Sequence, residues 1–171
     1  AYWKRVPEKF EVFKPVCADS QFSRCENQAI VNAYDNTIVY TDFVLSRLID
    51  VLKAGDQQGV ETAMIYMSDH GESLGEKNMF LHGMPYAIAP ESQRHVPALA
   101  WISDKFRASR SIDLGCMKTN AAAPVSHDNL CHSVLGGMGI TTRVYDPALD
   151  LFSACRPGQG KRAGMSRAAP L

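Results

Sequence analysis

An α/β layered fold is what this sequence predicts, and three stretches predict it. One is a long amphipathic helical pattern over residues 26–53; the others are two short apolar runs of strand composition, residues 61–68 and 95–103. In the helical stretch Ile30, Val31, Tyr34, Ile38, Phe43, Val44, Leu48, Ile49 and Leu52 recur at helical spacing, and Gly55 follows as a stop. The run ETAMIYMS lies between Gly59 and the triplet Asp69-His70-Gly71 and reads as a buried strand. Residues 77–95 hold Gly83, Pro85 and Pro90 and read as an irregular loop. HVPALAWIS reads as the second strand, with Pro97 suited to a strand entry or an edge.

Further along, residues 105–125 show no clear period. Ser126-His127-Asp128-Asn129 looks like the capped start of a helix, with Leu130, Val134 and Leu135 as its apolar face and Gly136-Gly137 as its stop. Two strands cannot bury a helix as apolar as residues 26–53, so the segment is expected to complete a larger sheet whose other strands lie upstream. The opening Ala1-Tyr2-Trp3-Lys4 has no initiator methionine and reads as if cut from a longer protein. From Arg156 on, the composition turns to Gly, Arg and Ala without apolar period. Residues 1–155 are therefore expected to be folded and 156–171 to form a flexible tail.

Bulk composition narrows the function classes. With 46% hydrophobic and 21% charged residues, the chain is too apolar to be disordered as a whole. Lysine plus arginine equals aspartate plus glutamate, 18 each, so charge gives no case for nucleic acid as a partner. No apolar run reaches the length of about 18 residues that a membrane-spanning helix needs, and no signal peptide is visible. The five cysteines include Cys17 and Cys25, which bracket CADSQFSRC. Their spacing is too wide for a CxxC motif and fits either a small disulfide loop, which needs an oxidising compartment, or two unrelated thiols. Cys116, Cys131 and Cys155 remain; Cys131 sits in an apolar helical pattern and is expected to be a buried thiol.

The chemistry is concentrated in SDHGESLGEKNMFLHG, residues 68–83. Asp69 and His70 stand where a predicted strand ends, the edge at which open α/β sheets hold ligands. A carboxylate oxygen and an imidazole nitrogen both suit Zn²⁺. Adjacent strand residues point to opposite faces, so the chain must turn there for both to reach one ion, and Gly71 suits that turn. The loop that follows is long enough to fold His82 back over the same place. Each feature has a plainer reading. An Asp-His pair also arises as a helix cap beside a surface histidine. Glu72 and Glu76 read as exposed loop or first-turn carboxylates, and His95 as a solvated strand-opening residue. His127 and His132 suit capping or packing, and Tyr34, Tyr40 and Trp101 suit the core. Tyr2, Trp3, Tyr66 and Tyr86 fit packing or a rim equally well.

Taken with four further blocks, this segment resembles the lipid A phosphoethanolamine transferases, a group that includes the mobile colistin-resistance enzymes and belongs to the alkaline phosphatase and sulfatase superfamily. The further blocks are CADSQFSRC, NAYDNTIVYTDF, LHGMPYAIAPESQRHVPALAWIS and SHDNLCHSVLGGMGITTRVYDP. The resemblance implies the C-terminal part of an alkaline phosphatase/sulfatase-like α/β/α sandwich. It implies zinc as cofactor with Asp69 and His70 as ligands, His82 beside the substrate phosphate or a further zinc, and a Cys17–Cys25 disulfide. The family's nucleophilic threonine, its glutamate ligand and its membrane helices have no match in the chain. The implied reaction moves phosphoethanolamine from phosphatidylethanolamine to lipid A, on the periplasmic side of a bacterial inner membrane, by an enzyme expected to be monomeric. The added ammonium lowers membrane charge and weakens polymyxin binding. The alternatives are a sulfatase or phosphodiesterase of the same superfamily, or an inactive fragment; the present chain alone is expected to be inactive.

Overall fold

The computed structural model describes residues 5–158. In chain order its helices are α1 (Asn27–Gln57), α2 (Glu91–Arg94), α3 (Asp104–Ser109), α4 (Leu114–Asn120) and α5 (Asp128–Met138). The strands are β1 (Ala63–Met67), β2 (Ser73–Leu74), β3 (Phe80–Leu81) and β4 (Ala98–Ile102). β1 pairs with β4, and β2 with β3. The Ser68 N–H donates to the Pro97 carbonyl at one end of the first pair and the Ser103 N–H to the Thr62 carbonyl at the other, so β1 and β4 run antiparallel. β1 is half-buried along its length rather than buried, because the described sheet has two strands and Ala98–Ala100 of β4 are exposed. The chain divides into two compact units, residues 1–54 with 66–99, and residues 55–65 with 100–171.

In the first unit α1 is the organising element. No glycine or proline interrupts it before Gly55, and its apolar period carries it through 31 residues. Its most buried face is not the expected aliphatic stripe but Ala29, Ile30, Asn32, Ala33 and Asn36. Asn36, 2% exposed, donates from Nδ2 to the Phe13 carbonyl and accepts the Phe13 N–H at Oδ1, each at 2.9 Å. Asn32 Nδ2 donates to the Pro15 carbonyl. Both amides therefore supply partners for an irregular stretch of backbone. Cys17 and Cys25 are joined in a disulfide, and Cys17 packs with Ala29 and Ile30 beneath Phe22, Leu74 and Phe80. That cluster supports the β2–β3 hairpin. Ile38, Val44, Leu48 and Val51 of α1 are exposed.

The second unit centres on Phe106, Ile112, Phe152 and Cys155, with Ala63, Ile65 and Ile102 packed against them. α3 and α4 occupy the stretch that showed no period. Both are too short for one, and capping sets them instead: Ser103 Oγ accepts the Phe106 N–H, and the Asp113 carboxylate accepts from Gly115 and Cys116. Cys116 and Cys155, left unpaired on the sequence, are joined in a second disulfide. α5 begins as expected but does not stop at Gly136-Gly137. It runs to Met138 and is capped by Gly139 in the left-handed region (φ 69°). Its buried residues are Asn129, Ser133, Gly136 and Gly137; a Cβ on Gly136 would stand 2.0 Å from Asp150 Oδ2. This small, polar face turns inward, so Val134 is exposed and Cys131, expected to be buried, is an exposed free thiol. Arg156, where the tail was expected to begin, pairs with Asp150 at 3.4 Å and donates to the Gly136 carbonyl. Residues 159–171 of that tail, and Tyr2 and Trp3, lie outside the described residues. Tyr34, Tyr40 and Trp101 are half-buried rather than core.

Replacing Asn36 by leucine keeps the number and branching of side-chain heavy atoms but removes the buried amide that pairs with the Phe13 N–H and carbonyl. Loss of about 1–3 kcal/mol of stability is expected, read as a lower urea midpoint at unchanged slope.

Candidate metal centre

β1 ends at Met67, and the chain leaves it through Ser68, Asp69, His70, Gly71 and Glu72 into β2. This crossing is fixed by close contact with α2. The Gly71 N–H donates to the Gln93 carbonyl, and a Cβ on Gly71 would lie 2.0 Å from the Ser92 carbonyl oxygen. Gly71 is thus required because backbone meets backbone, not because the turn needs a positive φ; its φ is not in the left-handed region. Gln93 holds the next residue as well: its Nε2 donates at 2.8 Å to the Oγ of Ser73, which is 1% exposed. Its Oε1 accepts the Met84 N–H, tying in the chain beyond His82.

The β2–β3 hairpin then turns back through Gly75 (φ 121°), whose hydrogen faces the Asn27 side chain; a Cβ there would lie 2.5 Å from Asn27 Oδ1. Its register pairs Ser73 with Leu81 and Leu74 with Phe80. The next pair outward in that register is Glu72 with His82. The sequence showed no such hairpin, because each strand has only two residues.

Three side chains meet here, and a fourth, Asp69, stands beside one of them. The His70 and His82 rings stack at 3.6 Å between centroids, 29° apart. His70 Nδ1 lies 2.9 Å from the Gly71 carbonyl oxygen. A carbonyl only accepts, so Nδ1 carries the hydrogen and Nε2 is left for a ligand. His70 Nε2 is 3.8 Å from Asp69 Oδ2. Two zinc ligands with bonds of about 2.0–2.2 Å lie at most about 4.4 Å apart, so this carboxylate and this imidazole are within the span of one ion. Asp69 and His70 therefore turn to the same side despite being adjacent. The Asp69 side chain is 89% exposed and that of Glu72 only 6%.

Glu72 is the correction. It was expected to be an exposed carboxylate, yet it is buried, with its oxygens 3.1 and 3.2 Å from His82 Nδ1. His70, Glu72 and His82 each offer a donor atom within 4.8 Å of the other two, a carboxylate-imidazole set of the kind that holds Zn²⁺. The sequence held one signal for it. Residues i and i+2 of an extended chain share a side, and Glu72 stands at i+2 from His70. Burial, and then the Glu72 carboxylate, push the Tyr34 phenol up. Glu76 keeps its expected place, exposed, accepting the Leu74 N–H. His95 is exposed, and His132 accepts the Asp146 N–H at Nδ1; neither is a member of the group.

Carboxylate and imidazole donors gathered where a strand ends, on an α/β scaffold, form the kind of arrangement in which such folds hold ligands. The chain matches the sulfatase family over residues 1–140, and it belongs to that family. It is 41% identical over 156 residues to the phosphoethanolamine transferase EptA of Escherichia coli (strain K12), covering 91% of this chain and 28% of that protein. It is 50% identical over 101 residues to the phosphatidylethanolamine transferase Mcr-2 of Escherichia coli, covering 59% of this chain and 19% of the relative. Among solved structures, the integral membrane protein lipooligosaccharide phosphoethanolamine transferase A (EptA) from Neisseria meningitidis superposes with a TM-score of 0.85 at 40% identity. That match covers 91% of this chain and 29% of the other. The chain thus spans about 28% of the length of the EptA relative. The expected sulfatase-like α/β fold is the fold found.

Exchanging Gly71 for alanine forces the two backbones apart. A loss of about 1–3 kcal/mol in thermal or urea unfolding is expected.

Proposed function

We propose that this chain forms part of a zinc-dependent enzyme that transfers phosphoethanolamine from phosphatidylethanolamine to lipid A. The observation that carries the reading is the approach of Asp69 Oδ2 and His70 Nε2 to 3.8 Å beside the stacked ring of His82. The similarity to transferases named for phosphoethanolamine and phosphatidylethanolamine supports the group transferred and its donor. Asp69 and His70 would hold the ion, the first through its carboxylate and the second through Nε2. Bound there, zinc supplies a Lewis acid that lowers the pKa of a coordinated hydroxyl and offsets phosphoryl charge. The chain's own residues position these groups. Gly71 and Gln93 hold the turn that aims the two ligands, and His82 flanks the phosphoryl group during transfer.

Two disulfides, Cys17–Cys25 and Cys116–Cys155, suit an oxidising compartment and favour the periplasmic face of the inner membrane as the place of action. The likeness to an integral membrane relative agrees with a membrane-anchored enzyme, although no described helix is long and apolar enough to cross a membrane. Each phosphoethanolamine adds a cationic ammonium to an anionic lipid surface. Cationic polymyxins would then be held less strongly.

In the membrane enzyme, Asp69→Ala and His70→Ala are expected to lower bound zinc and to abolish both transfer to lipid A and polymyxin protection in cells. His82→Ala is expected to reduce turnover with little effect on stability. Metal analysis, mass spectrometry of lipid A and growth in polymyxin check these outcomes. Full protection with either ligand removed, at normal expression, would falsify the metal assignment.

A further inference from the structure

The Glu72–His82 contact has a geometry that metal ligation alone does not call for. Glu72 sits on the more rigid partner. Its two neighbours, Gly71 and Ser73, are buried and bound to α2 through Gln93, and its own side chain is 6% exposed. His82 sits on the looser one. It follows the two-residue strand β3, and residues 81–88 are all exposed. The residue before it, Leu81, holds φ at 68°, in the left-handed region that a bulky residue seldom adopts. Such a conformation persists where its surroundings over-determine it. Here the β2–β3 register sets Glu72 directly across from His82, and the left-handed step at Leu81 accompanies the return of the imidazole to the carboxylate.

We propose that Glu72 is a positioning residue for the transfer reaction, holding His82 by Nδ1–H so that Nε2 is the nitrogen presented to the phosphoryl group. An ionised carboxylate only accepts hydrogen bonds, so the ring nitrogen it faces carries a hydrogen, whether the ring is neutral or an imidazolium. That fixes which nitrogen is free and also limits rotation of the ring. The buried carboxylate achieves this where a water molecule would not, because its backbone cannot drift from α2. The inference rests on the metal-centre reading above for what His82 does, but not for how His82 is held.

The test uses the membrane enzyme carrying ¹⁵N-labelled histidine. Long-range proton–nitrogen spectra of the unaltered protein are expected to show His82 with a hydrogen on Nδ1. A His82 ring protonated on Nε2 alone overturns the proposal before any variant is made. In Glu72→Ala the Nδ1–H signature is expected to disappear, and kcat to fall about 10–100-fold with KM little changed and bound zinc at the parental level. Glu72→Gln is expected to recover most of kcat and the Nδ1–H signature, since its amide oxygen still accepts from Nδ1–H. Loss of zinc in Glu72→Ala would make Glu72 a ligand instead and would overturn the positioning role. So would a parental kcat together with an unchanged His82 spectrum. The two readings fail separately. Normal zinc content in Asp69→Ala and His70→Ala sinks the metal centre, whereas an Nδ1 signal untouched by Glu72→Ala sinks the role of Glu72 alone.

Discussion

The contact between Gly71 and the Ser92 carbonyl decides where the site can form. No side chain fits between the two backbones, since even a Cβ would lie 2.0 Å from that oxygen. The crossing segment is therefore pressed onto α2, and the Gly71 N–H closes the contact by donating to Gln93. Three of the site's side chains hang from this point. Asp69 and His70 lie just before it, and Glu72 just after. With the backbone held, His70 and Glu72, at i and i+2, reach a common space, and Asp69 stands beside His70.

His82 reaches the same space by a different route. Its hairpin is too short to be stable alone, because two pairs of residues bury little apolar surface. It is held from below by a small core in which the Cys17–Cys25 disulfide, Ala29 and Ile30 meet Leu74 and Phe80. The disulfide loop is thus linked to the site through packing and not through chemistry. In the other unit the same kind of economy holds α5: small residues on the inward face allow close approach. Arg156 and Arg110 donate to the carbonyls of Gly136 and Gly137 near the helix C-terminus, where positive charge is favoured.

The buried polar residues follow one rule. Asn32 and Asn36 within α1, Gln93 at α2 and Ser133 on α5 each bond to backbone or to a neighbour that is itself held. Each replaces a missing regular partner for an irregular segment, which is why residues that weaken isolated helices are found inside these. Glu72 differs, because the neighbour it meets, His82, is the less firmly held of the two.

Much of the fold was legible along the chain. The long period of α1 and the β-branched and aromatic runs of β1 and β4 depend on residues close in sequence, and their existence followed from it. The likeness of SDHGESLGEKNMFLHG to a transferase family pointed to Asp69, His70 and His82. Other features were not legible because they arise from contacts between distant segments. The burial of Glu72 depends on a two-residue hairpin with no period to detect. The pairing of Cys116 with Cys155 depends on α4 returning to the end of the described chain, and the exposure of Cys131 on glycines turning inward. Sequence by itself determined which chemical groups were available and which long elements formed. Tertiary structure decided which of those groups face one another, because neighbours across a backbone contact are chosen by sterics that no local pattern encodes.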